Sequence, residues 1–167
     1  MDLPKRKPNR LRDYDYSQPG CYFVTICTRD RQYLLWKEPA PAMGVGAAFG
    51  RPLLSRVGKL VEQEIDHLHR TYQEVAVDKY VIMPNHIHLI LRISQTQDGR
   101  PQAAPTIAQA INQFKGAVTK RSGFHIWQKG YHDHIVRNDA DYLRIWNYME
   151  TNPAKWREDC YFTETEE

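Results

Sequence analysis

Two histidines, His86 and His88, stand one residue apart in the run VIMPNHIHLILRI. The run is otherwise apolar and rich in branched side chains, so it reads as a buried strand. Side chains alternate along a strand, which puts both imidazoles on one face and Ile87 on the other. Such a pair can reach one metal ion; the competing reading is two polar side chains satisfied within the fold. Two histidines seldom complete a metal site, so a third donor and open positions for substrate are required. A candidate lies far downstream in IWNYMETNP, where Tyr148 and Asn152 are four residues apart and share one helix face. Asn152 can offer an amide oxygen to a hard cation, with the Tyr148 phenol beside it. The plainer readings are a helix-end residue for Asn152 and packing for Tyr148. With ten tyrosines in the chain, spacing alone does not choose among them.

Other histidine pairs act as controls. His67 and His69 have the same spacing but sit in a helical pattern, about 200° apart around the axis, so they do not face one another. His132 and His134, in YHDHIV, share a face if that segment is extended, and His134 is a candidate for an auxiliary role near the site. Neither HExxH nor a cysteine-rich deaminase signature is present. Three cysteines, Cys21, Cys27 and Cys160, make no disulfide framework and no CxxC pair.

The elements that must carry these residues follow from pattern. GCYFVTICTR reads as a first strand after a Pro-Gly turn signal. LLSRVGKLVEQEIDHLHRTY places Val57, Val61, Ile65 and Leu68 at helical spacing. EVAVDKYVIMP and HIHLILRI are two strands joined by a tight turn at Pro84 and Asn85. TIAQAINQFKGAVTKR is a second helix, through Ile107, Ile111, Phe114 and Val118, with Thr106 as its cap. HIWQKGYHDHIVRN holds a short last strand. DADYLRIWNYMET forms a final helix capped by Asn138 or Asp139, ending near Pro153. KEPAPAMGVGAAFGRP and SQTQDGRPQAAP read as loops. The resulting order predicts an α+β fold: a ferredoxin-like βαββαβ antiparallel sheet with helices on one face, the other face free, and an additional C-terminal helix carrying the tyrosine.

Length suits one compact domain. The net charge is only +3, but its distribution is uneven. Lys5, Arg6, Lys7, Arg10 and Arg12 crowd into LPKRKPNRLR, while REDCYFTETEE is mostly acidic. A basic arm ahead of a folded body suits a polyanion; the bland alternative is a solvated tail. The expected organisation is a basic arm over residues 1–13, a catalytic domain over 14–157 and an acidic tail over 158–167. No signal peptide or long apolar span is evident, so a cytoplasmic protein without membrane contact is expected.

MPNHIHLI followed by YMETNP resembles the HUH-type single-tyrosine transposases, and within them most closely the REP-associated tyrosine transposases. YFVTICTRDR and WQKGYHDHIVRN share that resemblance, which spans about residues 14 to 156. It implies that His86 and His88 are metal ligands, that Tyr148 is the nucleophile, and that Asn152 takes the place of the polar third ligand. It further implies Mg²⁺ or Mn²⁺ as cofactor, a single-stranded or hairpin DNA substrate, and nicking and rejoining through a covalent 5′-phosphotyrosine. The basic arm would help to hold the hairpin. A monomer is expected, with a dimer as the alternative.

Three rival classes compete: a hairpin-binding protein of the same fold that does not cleave, a metal-dependent phosphohydrolase in which water attacks, and an RNA-binding sheet domain. Trp127 and Tyr131 are candidates for stacking on unpaired bases, against a core-packing alternative.

Overall fold

The computed structural model describes residues 18–37, 52–94 and 106–162. The basic arm and the segments 38–51 and 95–105, including both expected loops, lie outside the described residues. Four strands, β1 (Gly20–Cys27), β2 (Val75–Ile82), β3 (His86–Ile93) and β4 (His132–Val136), form one sheet in the order β2-β3-β1-β4. All three strand pairings are antiparallel. Helix α1 (Arg56–Thr71) joins β1 to β2, and α2 (Ile107–Ser122) joins β3 to β4. Helix α3 (Asp139–Thr151) follows β4.

Alternation decides which residues meet. Tyr22, Val24 and Ile26 of β1 and Ile87, Leu89 and Leu91 of β3 are fully buried on one face, with Val61 and Ile65 of α1 and Ile111 and Phe114 of α2. The helices start where their caps require. Ser55 accepts from the Gly58 amide, Thr106 forms a full capping box with Gln109, and Asn138 accepts from the Asp141 amide. Gly58 is needed for a different reason: a Cβ there would lie 2.0 Å from the Leu35 carbonyl oxygen, so the first turn of α1 can pack only without a side chain.

The opposite sheet face is not free. Helix α3 lies on it, burying Ile145 and Met149 against Ile90 of β3. A register shift between Val77 and Lys79 adjusts β2 to this second layer. Val77 and Tyr80 pack on the α1 side, while Lys79 binds Glu150 of α3 and sits over the Trp146 ring at 4.0 Å. Asp78 accepts from Arg92 at 2.6 Å and from the Tyr142 hydroxyl at 3.3 Å, tying α3 to β2 and β3. Beyond Thr151 the chain does not break away at Pro153 but tightens into a 3₁₀ segment, Asn152–Glu158. Proline has the fixed φ of a first helical turn and lacks the N–H that an α-helix would use there, so it converts the winding instead of stopping it.

Candidate active site

Both site histidines open β3. His86 pairs in register with Cys27 and His88 with Thr25; the His88 ring meets Tyr148 of α3, and the His86 ring meets Trp156 and Tyr161 beyond it. They are buried, at 0% and 1% exposure. Each ring is held through Nδ1. His86 Nδ1 lies 2.9 Å from Asn85 Oδ1, and His88 Nδ1 lies 2.8 Å from Thr25 Oγ1. The Asn85 amide nitrogen donates to the carbonyls of Tyr161 at 2.8 Å and Arg31 at 3.3 Å, so its oxygen is the end turned to the ring. His86 must therefore donate from Nδ1, which leaves an electron pair on Nε2. Asp30 and Arg31, both at φ 54°, adopt the left-handed conformation that non-glycine residues rarely use. They belong to the turn that carries the Arg31 carbonyl accepting from Asn85.

The two Nε2 atoms face one another at 3.0 Å. In the His88 tautomer in which Nδ1 donates to Thr25, as His86 Nδ1 donates to Asn85, both atoms present electron pairs across that gap. Two such pairs repel unless a positive centre lies between or beside them. Cis ligands of an octahedral Mg²⁺, at about 2.1 Å from the ion, are themselves about 3.0 Å apart. The donor spacing thus fits a small hard cation. Burial, reinforced by the nearby Arg31 charge, pushes the His86 pKa down to about 3. Burial and the neighbouring His86 push His88 well below the ordinary imidazole value. Both rings are neutral near pH 7, as ligation demands.

A third donor comes from beyond the 3₁₀ segment. Ligand atoms of His86, His88 and Asp159 all lie within 4.8 Å of one another. The Tyr148 hydroxyl, on α3, donates to Asp159 Oδ2 at 3.2 Å and lies 3.3 Å from His88 Nε2. Asn152 Nδ2 donates to the same hydroxyl at 3.3 Å. Burial, then the Asp159 carboxylate, holds the Tyr148 phenol well above the ordinary tyrosine range. Tyr161 closes one side, its ring 4.5 Å from that of His86 and beneath the Arg31 guanidinium at 5.5 Å.

The chain is similar over most of its length to several known proteins. No protein-family model matches the chain. An uncharacterized protein of Haemophilus influenzae is 30% identical over 95% of this chain and 94% of its own length. A putative REP-associated tyrosine transposase of the same organism is 23% identical over 84% of this chain and 74% of its own length. A solved REP-associated tyrosine transposase, bound to a REP hairpin, shares the fold with a TM-score of 0.64 at 22% identity, over 88% of this chain and 73% of that one. Relatives that carry a functional name are REP-associated tyrosine transposases, and the chain is similar to that family.

The residues singled out by sequence fall into three groups. His86, His88, Tyr148 and Asn152 form a chain of contacts, His86 to His88, His88 to Tyr148 and Tyr148 to Asn152. His134 is exposed on β4, with Nε2 2.7 Å from Asp141 Oδ2, beside the same cavity as Tyr148. Trp127 and Tyr131 are buried in the core at 2% and 8% exposure, so neither is placed to stack on a base. His67 lies on α1 beside Glu64, away from the sheet site, and the side chain of His69 lies outside the described residues, as do Lys5, Arg6, Lys7, Arg10 and Arg12. Sequence reasoning missed Asn85, Thr25 and Asp159. Asn85 had a usable signal, an amide directly before the first histidine, but it reads equally well as a turn residue. Asp159 had none, being one acid in an acidic stretch. Among the described residues, no helix is long and apolar enough to cross a membrane.

Proposed function

We propose that the protein nicks and rejoins single-stranded DNA at hairpin-forming sequences through a covalent 5′-phosphotyrosine on Tyr148. The observation that carries this reading is the Tyr148 hydroxyl standing 3.3 Å from His88 Nε2, at the edge of a cluster of two neutral imidazoles and one carboxylate. The proposed frame is ferredoxin-like βαββαβ, working in the cytoplasm as a monomer, with the arm from Lys5 to Arg12 gripping the hairpin.

His86 and His88 would hold Mg²⁺ or Mn²⁺, and imidazole suits manganese better than magnesium. Asp159 is the best-placed further donor. Asn152 joins the ligand set if its amide turns by half a revolution, exchanging nitrogen for oxygen. A bound cation supplies polarisation of the scissile phosphate and offsets the charge that develops there. Asp159 Oδ2, already accepting from the phenol, takes its proton as Tyr148 Oη attacks phosphorus. The Oη–P bond forms, the P–O3′ bond breaks, and the leaving oxygen is protonated to a 3′-hydroxyl. Attack by another 3′-hydroxyl reverses these changes and frees the tyrosine. The phosphodiester energy is conserved, so no nucleotide cofactor is required.

The test is a labelled hairpin oligonucleotide incubated with Mn²⁺ and run on a denaturing gel. A covalent adduct is expected from the native protein and not from Tyr148→Phe or His86→Ala. An adduct that persists in Tyr148→Phe would refute the nucleophile. The full burial of both imidazoles favours a second reading, a hairpin-binding protein that does not cleave. It requires unchanged hairpin affinity and no adduct from the native chain.

A further inference from the structure

Beside Tyr148 the sheet face opens into a cavity of about 350 Å³. Phe23 and Thr25 of β1 form its floor, His134 of β4 and Arg144 of α3 its rim, and Tyr148 and Tyr161 its inner wall. This volume is within the range of small-ligand clefts, ~300–1,000 Å³. It is continuous with the candidate chemistry, because His88 lines it as well. Two features give it the character of a nucleotide subsite.

The first is aromatic. Phe23 is half-buried, stacked on His88 with ring centres 5.1 Å apart and edge-on to Tyr148 at 6.3 Å. It is fixed by both site residues and still borders the open cavity. The second is cationic. Asp141 binds His134 Nε2 through one oxygen at 2.7 Å and Arg144 Nη2 through the other at 2.6 Å. That bridge holds Arg144 at the cavity mouth while its side chain stays 68% exposed. A guanidinium has five N–H donors and only one is taken by Asp141, so the group keeps capacity for a phosphate. A planar apolar floor beneath a cationic rim is what an unpaired nucleotide needs: a face for its base and a partner for its phosphate.

We infer that this cavity holds one unpaired nucleotide adjoining the scissile phosphate, its base against Phe23 and its outer phosphate on Arg144. The inference rests on the strand-cleavage reading and adds to it a subsite for an unpaired nucleotide, separate from the grip on the hairpin stem. His134 is here a positioning residue, fixing Asp141 and through it Arg144.

The probe is a stem-loop oligonucleotide with unpaired flanks of randomised sequence; sequencing of the adducts gives the cut position. Derivatives then carry an abasic residue at either nucleotide next to the cut, and adduct formation is timed in Mn²⁺. At one of those positions the abasic residue should slow the native protein about tenfold or more, in keeping with the loss of one base–aromatic stack. Phe23→Ala should slow the intact substrate comparably, and combining it with that abasic residue should add nothing. Arg144→Ala should slow the reaction and Arg144→Lys restore part of it, with affinity for the paired stem lacking its flanks unchanged throughout. Equal rates on the intact and both abasic substrates would overturn the inference while leaving strand cleavage standing, as would losses from Phe23→Ala and the abasic residue that multiply. If Phe23→Ala fails to fold, the exposed Arg144 pair decides: no loss in Arg144→Ala overturns the subsite. A native protein that forms no adduct on any probe removes the cleavage reading and the subsite with it.

Discussion

His86 and His88 present their Nε2 atoms to one another across 3.0 Å, and each ring is anchored at Nδ1 by a different neighbour. The anchors are independent, since Asn85 lies in the β2–β3 turn and Thr25 in the centre of β1. The Nε2 atoms of both rings are thereby aimed at a common point before any ligand arrives.

Mn²⁺ binding should report this directly. His86→Ala and His88→Ala should each abolish saturable binding measured by titration calorimetry. Asp159→Asn and Asn152→Ala separate the two candidates for the third position: the larger loss of affinity identifies the donor, and the geometry expects it from Asp159→Asn. If neither substitution changes the affinity, the cation is held by the imidazoles and water alone.

Asn85 does not reach the candidate cation site, yet its loss should be felt there. Asn85→Ala removes the acceptor that sets the His86 tautomer, and losing a hydrogen bond that orients a ligating imidazole typically weakens binding about 10–100-fold. The measurement is Mn²⁺ affinity beside the thermal midpoint. A fall in stability with unchanged affinity would show that Asn85 only holds the turn together.

How much of this was legible beforehand depends on how locally each feature is encoded. The strands, helices and caps at Thr106 and Asn138 follow from neighbouring residues, and so does the shared face of His86 and His88. The adjustment at Asp78 does not, because VAVDKY alternates well enough to pass as a regular strand. The second helical layer was invisible for a related reason. Ile145 and Met149 form too short a stripe to declare that α3 covers a sheet face. Asp159 is eleven residues past Tyr148, and only the 3₁₀ winding after Pro153 brings it back to the phenol. No periodicity carries that return.

Acid should destabilise the metal-free protein in a defined window. The folded-state pKa of His86 is about 3, against an ordinary 6.5. Between those values the unfolded chain binds a proton that the folded chain refuses, so stability rises with pH across the window and is lost as pH falls below about 6.5. His88 shifts in the same direction. Chemical denaturation in EDTA from pH 7.5 down to 4.5 should show a falling midpoint, with a shallower fall in His86→Asn. An identical slope in the variant would assign the acid sensitivity to other groups.

Removal of residues 1–13 deletes Lys5, Arg6, Lys7, Arg10 and Arg12. Each phosphate contact contributes about −0.9 to the slope of log affinity against log salt on duplex DNA. The shortened protein should bind a hairpin more weakly and with a shallower slope, by as much as about 4.5 if every one of these side chains is in contact. An unchanged slope would make the arm a solvated tail.

Helix α3 is seated by a small apolar patch, Ile90, Ile145 and Met149, and by surface pairs such as Lys79 with Glu150, whereas β1 and β3 share the main core. Local unfolding free energies follow such differences in burial. The backbone amides of α3 should exchange with deuterated solvent well before those of β3, because that helix can lift away while the sheet remains intact. Exchange in that order would assign the phenol and the imidazoles to parts of the molecule with unequal lifetimes, joined by a geometry that the protein leaves and re-forms.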